Sequence, residues 1–103
     1  MDKETKEKVA NMIRLSRKAN AVALGRLAVE RSVKQGKTTL IFAGKSDNNF
    51  MRKHAAEYED KGIHISQLFD DNELAEIFGR QKLTLIAITN NNFIKGIKEI
   101  LGR

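Results

Sequence analysis

The side chains with the clearest chemical potential are cations that surround two glycines in the first half of the chain. Gly25 separates an apolar run, 21–24, from a helix-patterned stretch, and Gly36 follows the end of that stretch. A helix that begins with Arg26 directly after a strand is suited to bind phosphate, because its free N–H groups and its dipole favour anions. The candidate binding residues of this unit and its surroundings are Arg17, Lys18, Gly25, Arg26, Leu27, Arg31, Lys34, Lys37 and Lys45. Arg17 and Lys18 are expected on the same rim as Gly25, because only a short strand separates them.

The net charge of +6 is distributed unevenly along the 103 residues. Residues 1–53 contain 13 Lys or Arg against 5 Asp or Glu, whereas residues 54–103 contain 6 against 8. This asymmetry predicts one basic face and an anionic partner. RNA fits this pattern better than a membrane, whose surface helices need a stronger apolar face. The alternative is a lysine-rich solvated surface that only aids solubility.

Length and composition predict a single domain over residues 1–103. The sequence has no cysteine, which excludes disulfides and thiolate metal sites. No apolar run approaches the roughly 18 residues of a membrane span, and the start of the sequence lacks the apolar core of a secretory signal. We therefore expect a cytoplasmic protein with no membrane partner.

The motifs that imitate catalytic or metal sites have simpler structural interpretations. The segment 35–39 resembles the end of a phosphate-binding P-loop, but Arg31 stands where that motif needs glycine, and the segment leaves a helix rather than a strand. His54 and His64 lack the paired spacing of a zinc site and are interpreted as structural. The acids of 70–73 are expected to cap a helix. We expect no enzyme activity, cofactor, metal or small-molecule substrate.

Apolar periodicity predicts the element order α-β-α-β-α-β-α-β-α, beginning with a helix over about residues 3–18. The predicted strands cover 21–24, 38–43, 63–68 and 83–89. Two of them, 38–43 and 83–89, are almost continuously apolar, as in strands buried on both faces. Asp47 or Asn48 is expected to cap the third helix, and Gly36 to end the second in a left-handed conformation. The order predicts a three-layer sandwich.

Several short motifs occur in an order that is shared with a known family. They are Arg17-Lys18-Ala19, Gly25, Gly36, Leu40-Ile41-Phe42-Ala43-Gly44, Asn72-Glu73-Leu74 with Gly79, Ile86-Ala87-Ile88-Thr89 and Asn92-Phe93. Over about Met12 to Leu101 the chain resembles the L-seven-Ae / L-thirty-e ribosomal protein family, especially its small bacterial YlxQ-type members. The resemblance implies an α/β fold, a three-layer α/β/α sandwich with a four-stranded mixed sheet. It also implies an RNA-binding, ribosome-associated protein, with ribosomal or other structured RNA and ribosomal proteins as partners.

The best-known members of that family bind kink-turn RNA through a motif in which a glycine and a variable residue precede asparagine and glutamate, with lysine three residues later. The corresponding positions here are Leu27, Ala28 and Arg31. Leu27 and Ala28 cannot hydrogen-bond a base edge, which removes direct readout of that kind. The sequence therefore predicts contact with the RNA backbone through the glycine turn and basic helix. The alternative is a protein-interaction module on the same fold, which an exposed Leu27 would favour.

Overall fold

Five helices and four strands alternate along residues 2–102, which are the residues that this computed structural model describes. The elements are α1 (Lys3–Lys18), β1 (Val22–Leu24), α2 (Arg26–Lys34), β2 (Leu40–Ala43), α3 (Asn48–Asp60), β3 (His64–Ser66), α4 (Asp71–Ile77), β4 (Leu85–Ile88) and α5 (Asn91–Leu101). The predicted order is confirmed. The strands are shorter than the apolar runs that predict them, because several flanking apolar residues pack in the core outside the hydrogen-bonded sheet.

The four strands form one mixed sheet in the order β1-β4-β2-β3. β4 is antiparallel to both of its neighbours, whereas β2 and β3 are parallel. β1, β2 and β3 consequently run in one direction and end at one edge of the sheet. We call this the glycine-turn edge, which carries Gly25, Gly44, the loop 67–70 and the start of β4. The opposite or far edge carries the loops 19–21 and 35–39 and the end of β4.

Helices cover both faces of the sheet, which confirms the three-layer α/β/α sandwich. β2 and β4 are buried along their whole lengths. Because side chains alternate along a strand, each of the two strands contributes to both cores. Leu40, Phe42, Ile86 and Ile88 pack in a cluster with side chains of α1, α4 and α5. Ile41, Ala43, Leu85 and Ala87 pack in a second cluster with side chains of α2 and α3.

Local sequence signals determine where α1 begins and where α2 ends. Asp2 caps α1 by accepting a hydrogen bond of 2.7 Å from the Thr5 N–H. Gly36 follows α2 with φ of +68°, the left-handed conformation that the sequence predicts. None of the helices within residues 2–102 is both long and apolar enough to cross a membrane.

Candidate functional site

The turn at Gly25 connects β1 to α2 and fixes where α2 begins. Its φ of +86° and ψ of 165° belong to a region that only glycine adopts without strain. The Gly25 N–H donates to the Leu85 carbonyl at 2.9 Å, and the Gly25 carbonyl accepts from the Val29 N–H at 3.0 Å. A Cβ placed on Gly25 would meet no atom within 4 Å. The turn is therefore tied to β4 on one side and leaves its other side open to a partner.

The outer face of α2 presents a line of side chains that starts beside this turn. Val29 and Ser32 are buried, so the opposite side of the helix faces outward. Leu27, Arg31 and Lys34 follow one another at i, i+4 and i+7, and all three are exposed. The side chain of Leu27 is 78% exposed. No carboxylate in the described part of the chain forms an ion pair with Arg31 or Lys34.

Arg26 differs from these cations because the fold already holds its side chain. Its Nη2 lies 3.2 Å from Asp47 Oδ1, and its guanidinium carbon lies 6.0 Å from the centre of the Phe50 ring. Asp47 also accepts a hydrogen bond of 3.4 Å from Thr84 Oγ1. The expectation that Asp47 or Asn48 caps α3 is confirmed for the position of Asp47 and corrected for its hydrogen bond. Asp47 occupies the N-cap position, but its carboxylate makes no capping hydrogen bond and binds Arg26 and Thr84 instead.

The acidic segment at the start of α4 also lies at the glycine-turn edge, and its carboxylates contact protein partners. Asp70 and Glu73 form a capping box, in which each side chain accepts a hydrogen bond from the other residue's N–H. Glu73 additionally accepts from Lys6 Nζ at 2.7 Å. Asp71 accepts from the Ser46 hydroxyl. The expected helix cap is confirmed, and the Lys6 ammonium offsets part of the negative charge of this segment.

The Glu73 contacts predict an acid-sensitive element of stability. The Lys6 side chain, and then the Asp70 N–H, stabilise the carboxylate and hold the pKa of Glu73 below its ordinary value. A group whose pKa is lowered by folding stabilises the native state above its ordinary pKa, and this contribution is lost as the pH falls through the lowered pKa. Urea unfolding should therefore show a steeper loss of stability below about pH 4.3 in the wild type than in Glu73→Gln. Parallel pH profiles of the two proteins would contradict this prediction.

Lys45 and a pair of cations not singled out from the sequence extend the glycine-turn edge. Lys45 is exposed and follows Gly44, whose N–H donates to the Thr84 carbonyl at 2.8 Å. Arg80 and Lys82 are exposed in the segment that leads into β4 at the same edge. Two cations between Gly79 and an apolar run were visible in the sequence. Only the antiparallel pairing of β4 shows that the segment containing them enters the sheet beside Gly25.

Arg17, Lys18 and Lys37 lie at the far edge, which corrects the expectation that Arg17 and Lys18 share a rim with Gly25. The Ala21 carbonyl accepts from the Thr89 N–H at the far edge, whereas Gly25 bonds Leu85 at the other. Four residues of extended chain span about 13 Å, so β1 separates the two groups. Lys37 precedes Thr38, whose hydroxyl donates to the Ile88 carbonyl at 2.6 Å at the far end of β4. Lys34 ends α2 on that same side.

The two histidines and the P-loop-like segment occupy structural positions. His54 Nε2 lies 3.4 Å from a Glu30 carboxylate oxygen, and the ring stacks on Tyr58 with centroids 4.9 Å apart, which links α2 to α3. His64 lies in β3. The segment 35–39 leaves α2 and enters β2, the reverse of the P-loop order. Within the part of the chain that the structure describes, no group of three His, Asp or Glu side chains is arranged to hold a metal ion.

Comparisons with known proteins identify relatives in structure but not in sequence. No protein-family model matches the sequence, and no curated protein is a significant match to it. A Bacillus halodurans protein of unknown function has a TM-score of 0.80 at 15% identity, covering 93% of this chain and 98% of its own. The 15.5kD RNA binding protein of Giardia lamblia has a TM-score of 0.78 at 18% identity, covering 99% and 88%. At these identities the likeness shows a shared fold over nearly the whole chain.

Proposed function

We propose that the protein binds structured RNA through the α2 surface, which we define as Gly25, Arg26, Leu27, Arg31 and Lys34. The observation that carries this proposal is the outward line of Leu27, Arg31 and Lys34, which runs along α2 from the open glycine turn towards the far edge. Because neither cation is ion-paired within residues 2–102, each can pair with a phosphate without breaking a native ion pair. Lys45 and Lys82 on the neighbouring loops extend this surface.

Three features support an RNA partner. The excess of Lys and Arg in residues 1–53 gives the first half a strongly positive charge. The fold is shared with a Giardia protein described as RNA binding. The sequence resembles the L-seven-Ae / L-thirty-e family. Because of that resemblance, we also propose that this is a YlxQ-type, ribosome-associated protein of the cytoplasm. Its proposed partners are ribosomal RNA and ribosomal proteins.

The α2 surface is suited to the RNA backbone rather than to base edges. Leu27 is exposed and Ala28 half-buried, and neither carries a hydrogen-bonding group on its side chain. Arginine and lysine contacts to phosphate position a protein on RNA but carry no sequence information. We therefore propose recognition of backbone shape, without kink-turn selectivity. The proposal involves no catalytic step and no cofactor.

A second candidate function is a protein-interaction module, and the exposure of Leu27 favours it. Leu27 is a large apolar residue at the start of α2 and is 78% exposed. Its burial against an apolar partner is favourable, because it removes apolar surface from water. On this alternative, Leu27 forms the centre of a protein contact, and the surrounding cations form its rim.

A gel-shift comparison tests the RNA proposal. The wild-type protein is titrated against a kink-turn duplex, an unkinked duplex and a single strand at two salt concentrations. We expect similar affinity for the two duplexes, falling with salt by a logarithmic slope of about −0.9 per neutralised phosphate. Failure to bind any of the three RNAs at the lower salt would refute the proposal. A protein complex that depends on Leu27 would then support the second candidate.

A further inference from the structure

We propose that the far edge holds a second site for the RNA backbone, so that one protein molecule engages two RNA segments. The site is a depression of about 320 Å³ beside the last two turns of α1, lined by Arg14, Arg17, Lys18 and Ile77. We call it the far-edge depression. This inference rests on the proposed function, because it names a second binding surface for the same class of ligand.

The lining of the depression has a single sign of charge. Three of its four residues are cations, and none is acidic. A neighbouring groove of about 490 Å³ between α1 and α4 differs in this respect. There Lys3, Lys6 and Arg14 share the walls with Glu7, Glu73 and Glu76. A concave surface lined by cations concentrates positive potential, so the far-edge depression suits phosphate whereas the mixed groove does not.

The cations of the depression are not needed to end α1. Cations in a last turn often stabilise the free carbonyls of a helix. Here the backbone already supplies donors: the Ala19 N–H bonds the Leu15 carbonyl at 3.0 Å, and the Ala21 N–H bonds the Ser16 carbonyl at 2.8 Å. Asn20, with φ of +57°, makes this closure possible and donates its own N–H to the Arg17 carbonyl at 3.0 Å. The side chains of Arg17 and Lys18 therefore remain available to a ligand.

Two of the cations are already held in place. The guanidinium carbon of Arg17 lies 5.7 Å from the centre of the Phe78 ring, which is itself buried. Arg14 Nη1 donates to Asn11 Oδ1 at 3.0 Å. A guanidinium that is restrained before binding loses less conformational entropy when it meets a phosphate. Neither contact neutralises the charge, because Phe78 and Asn11 are uncharged and no ion pair within residues 2–102 involves these arginines.

The depression and the α2 surface face different directions. α1 and α2 lie on opposite faces of the sheet, and β1 runs between the far edge and the Gly25 turn. An RNA helix held against the α2 surface consequently leaves the far-edge depression open. A second backbone segment can occupy it, and the protein then connects the two.

The experiment uses the 103-residue protein and short identical RNA hairpins, half of which carry a donor fluorophore and half an acceptor. Native mass spectrometry counts the RNAs on one protein molecule, and energy transfer reports their bridging. Four double variants are compared with the wild type: Arg14→Glu/Lys18→Glu and Arg14→Gln/Lys18→Gln in the depression, Arg31→Glu/Lys34→Glu on the α2 surface, and Arg52→Glu/Lys53→Glu on α3. The α3 variant is the matched control for charge, because both of its cations are exposed and neither is ion-paired within residues 2–102. The glutamine variant removes the charges of Arg14 and Lys18 with less risk to α1.

We expect two hairpins and energy transfer for the wild type and the α3 variant. Both depression variants should retain one hairpin, with less than about a threefold change in its affinity, and should lose energy transfer. A single hairpin on the wild type, or bridging that persists in both depression variants, would overturn the second site while RNA binding itself stands. No hairpin on the wild type would instead overturn the proposed function and this inference with it.

Discussion

Reversing Arg26 and Arg31 to glutamate is expected to weaken RNA binding by at least about tenfold, because hydrogen bonds to charged groups contribute about 1.5–3 kcal/mol each. Both residues lie on the α2 surface, and each reversal also brings a carboxylate towards the phosphates. The logarithmic salt slope should become shallower by about 0.9 for each duplex phosphate contact that is lost. Gel shifts at several salt concentrations, with the wild type in parallel, measure both effects.

The single reversals Arg26→Glu and Arg31→Glu should weaken RNA binding by unequal amounts. Arg31 has no ion-pair partner within residues 2–102, whereas Arg26 lies 3.2 Å from Asp47. We therefore expect Arg31→Glu to account for the larger share. Arg26→Glu places two carboxylates together, so thermal unfolding must show that each variant is folded, and Arg26→Gln provides a milder substitution. Arg52→Glu/Lys53→Glu, at two exposed cations of α3, controls for net charge. Binding that survives both reversals in a folded protein would refute the α2 surface as the site.

Introducing the polar pair of the kink-turn motif should create selectivity that the wild type lacks. The double variant Leu27→Asn/Ala28→Glu restores the asparagine and glutamate that the resemblance places after the glycine turn. A well-placed bidentate contact to a base edge contributes about 1–3 kcal/mol of discrimination. We therefore expect the ratio of affinities for kink-turn over unkinked duplex to rise by about tenfold or more. Paired gel shifts with the two duplexes measure this ratio.

The two substitutions differ in their expected effect on folding. Leu27 is 78% exposed, so replacing it with asparagine removes no core contact. Ala28 is half-buried against the second core cluster, so the glutamate needs a thermal-unfolding control. Leu27→Ser, which shortens and polarises the side chain without the family's amide, is the matched control for selectivity. A folded double variant that binds both duplexes equally would show that the glycine turn is not placed to read bases.

The sequence alone predicts the elements because their signals are local. β2 and β4 are continuously apolar, whereas a strand with one exposed face alternates apolar and polar residues. Both strands are accordingly buried on each face. Asp70 and Glu73 have the spacing of a capping box, and Gly36 and Gly25 stand where the backbone adopts positive φ. Leu27 and Ala28 likewise carry no hydrogen-bonding group on their side chains, whatever their surroundings.

The tertiary structure decides which of these residues lie together. β1 carries the chain from one edge of the sheet to the other, so Lys18 and Gly25, which are only seven positions apart in the sequence, lie at opposite edges. The pairing of Arg26 with Asp47 joins residues 21 positions apart, and no local pattern indicates it. The far-edge depression likewise needs the end of α4 to pack beside α1. Residue chemistry thus determines that the protein has cations suited to phosphate, whereas strand direction and long-range packing determine that they form two separate surfaces.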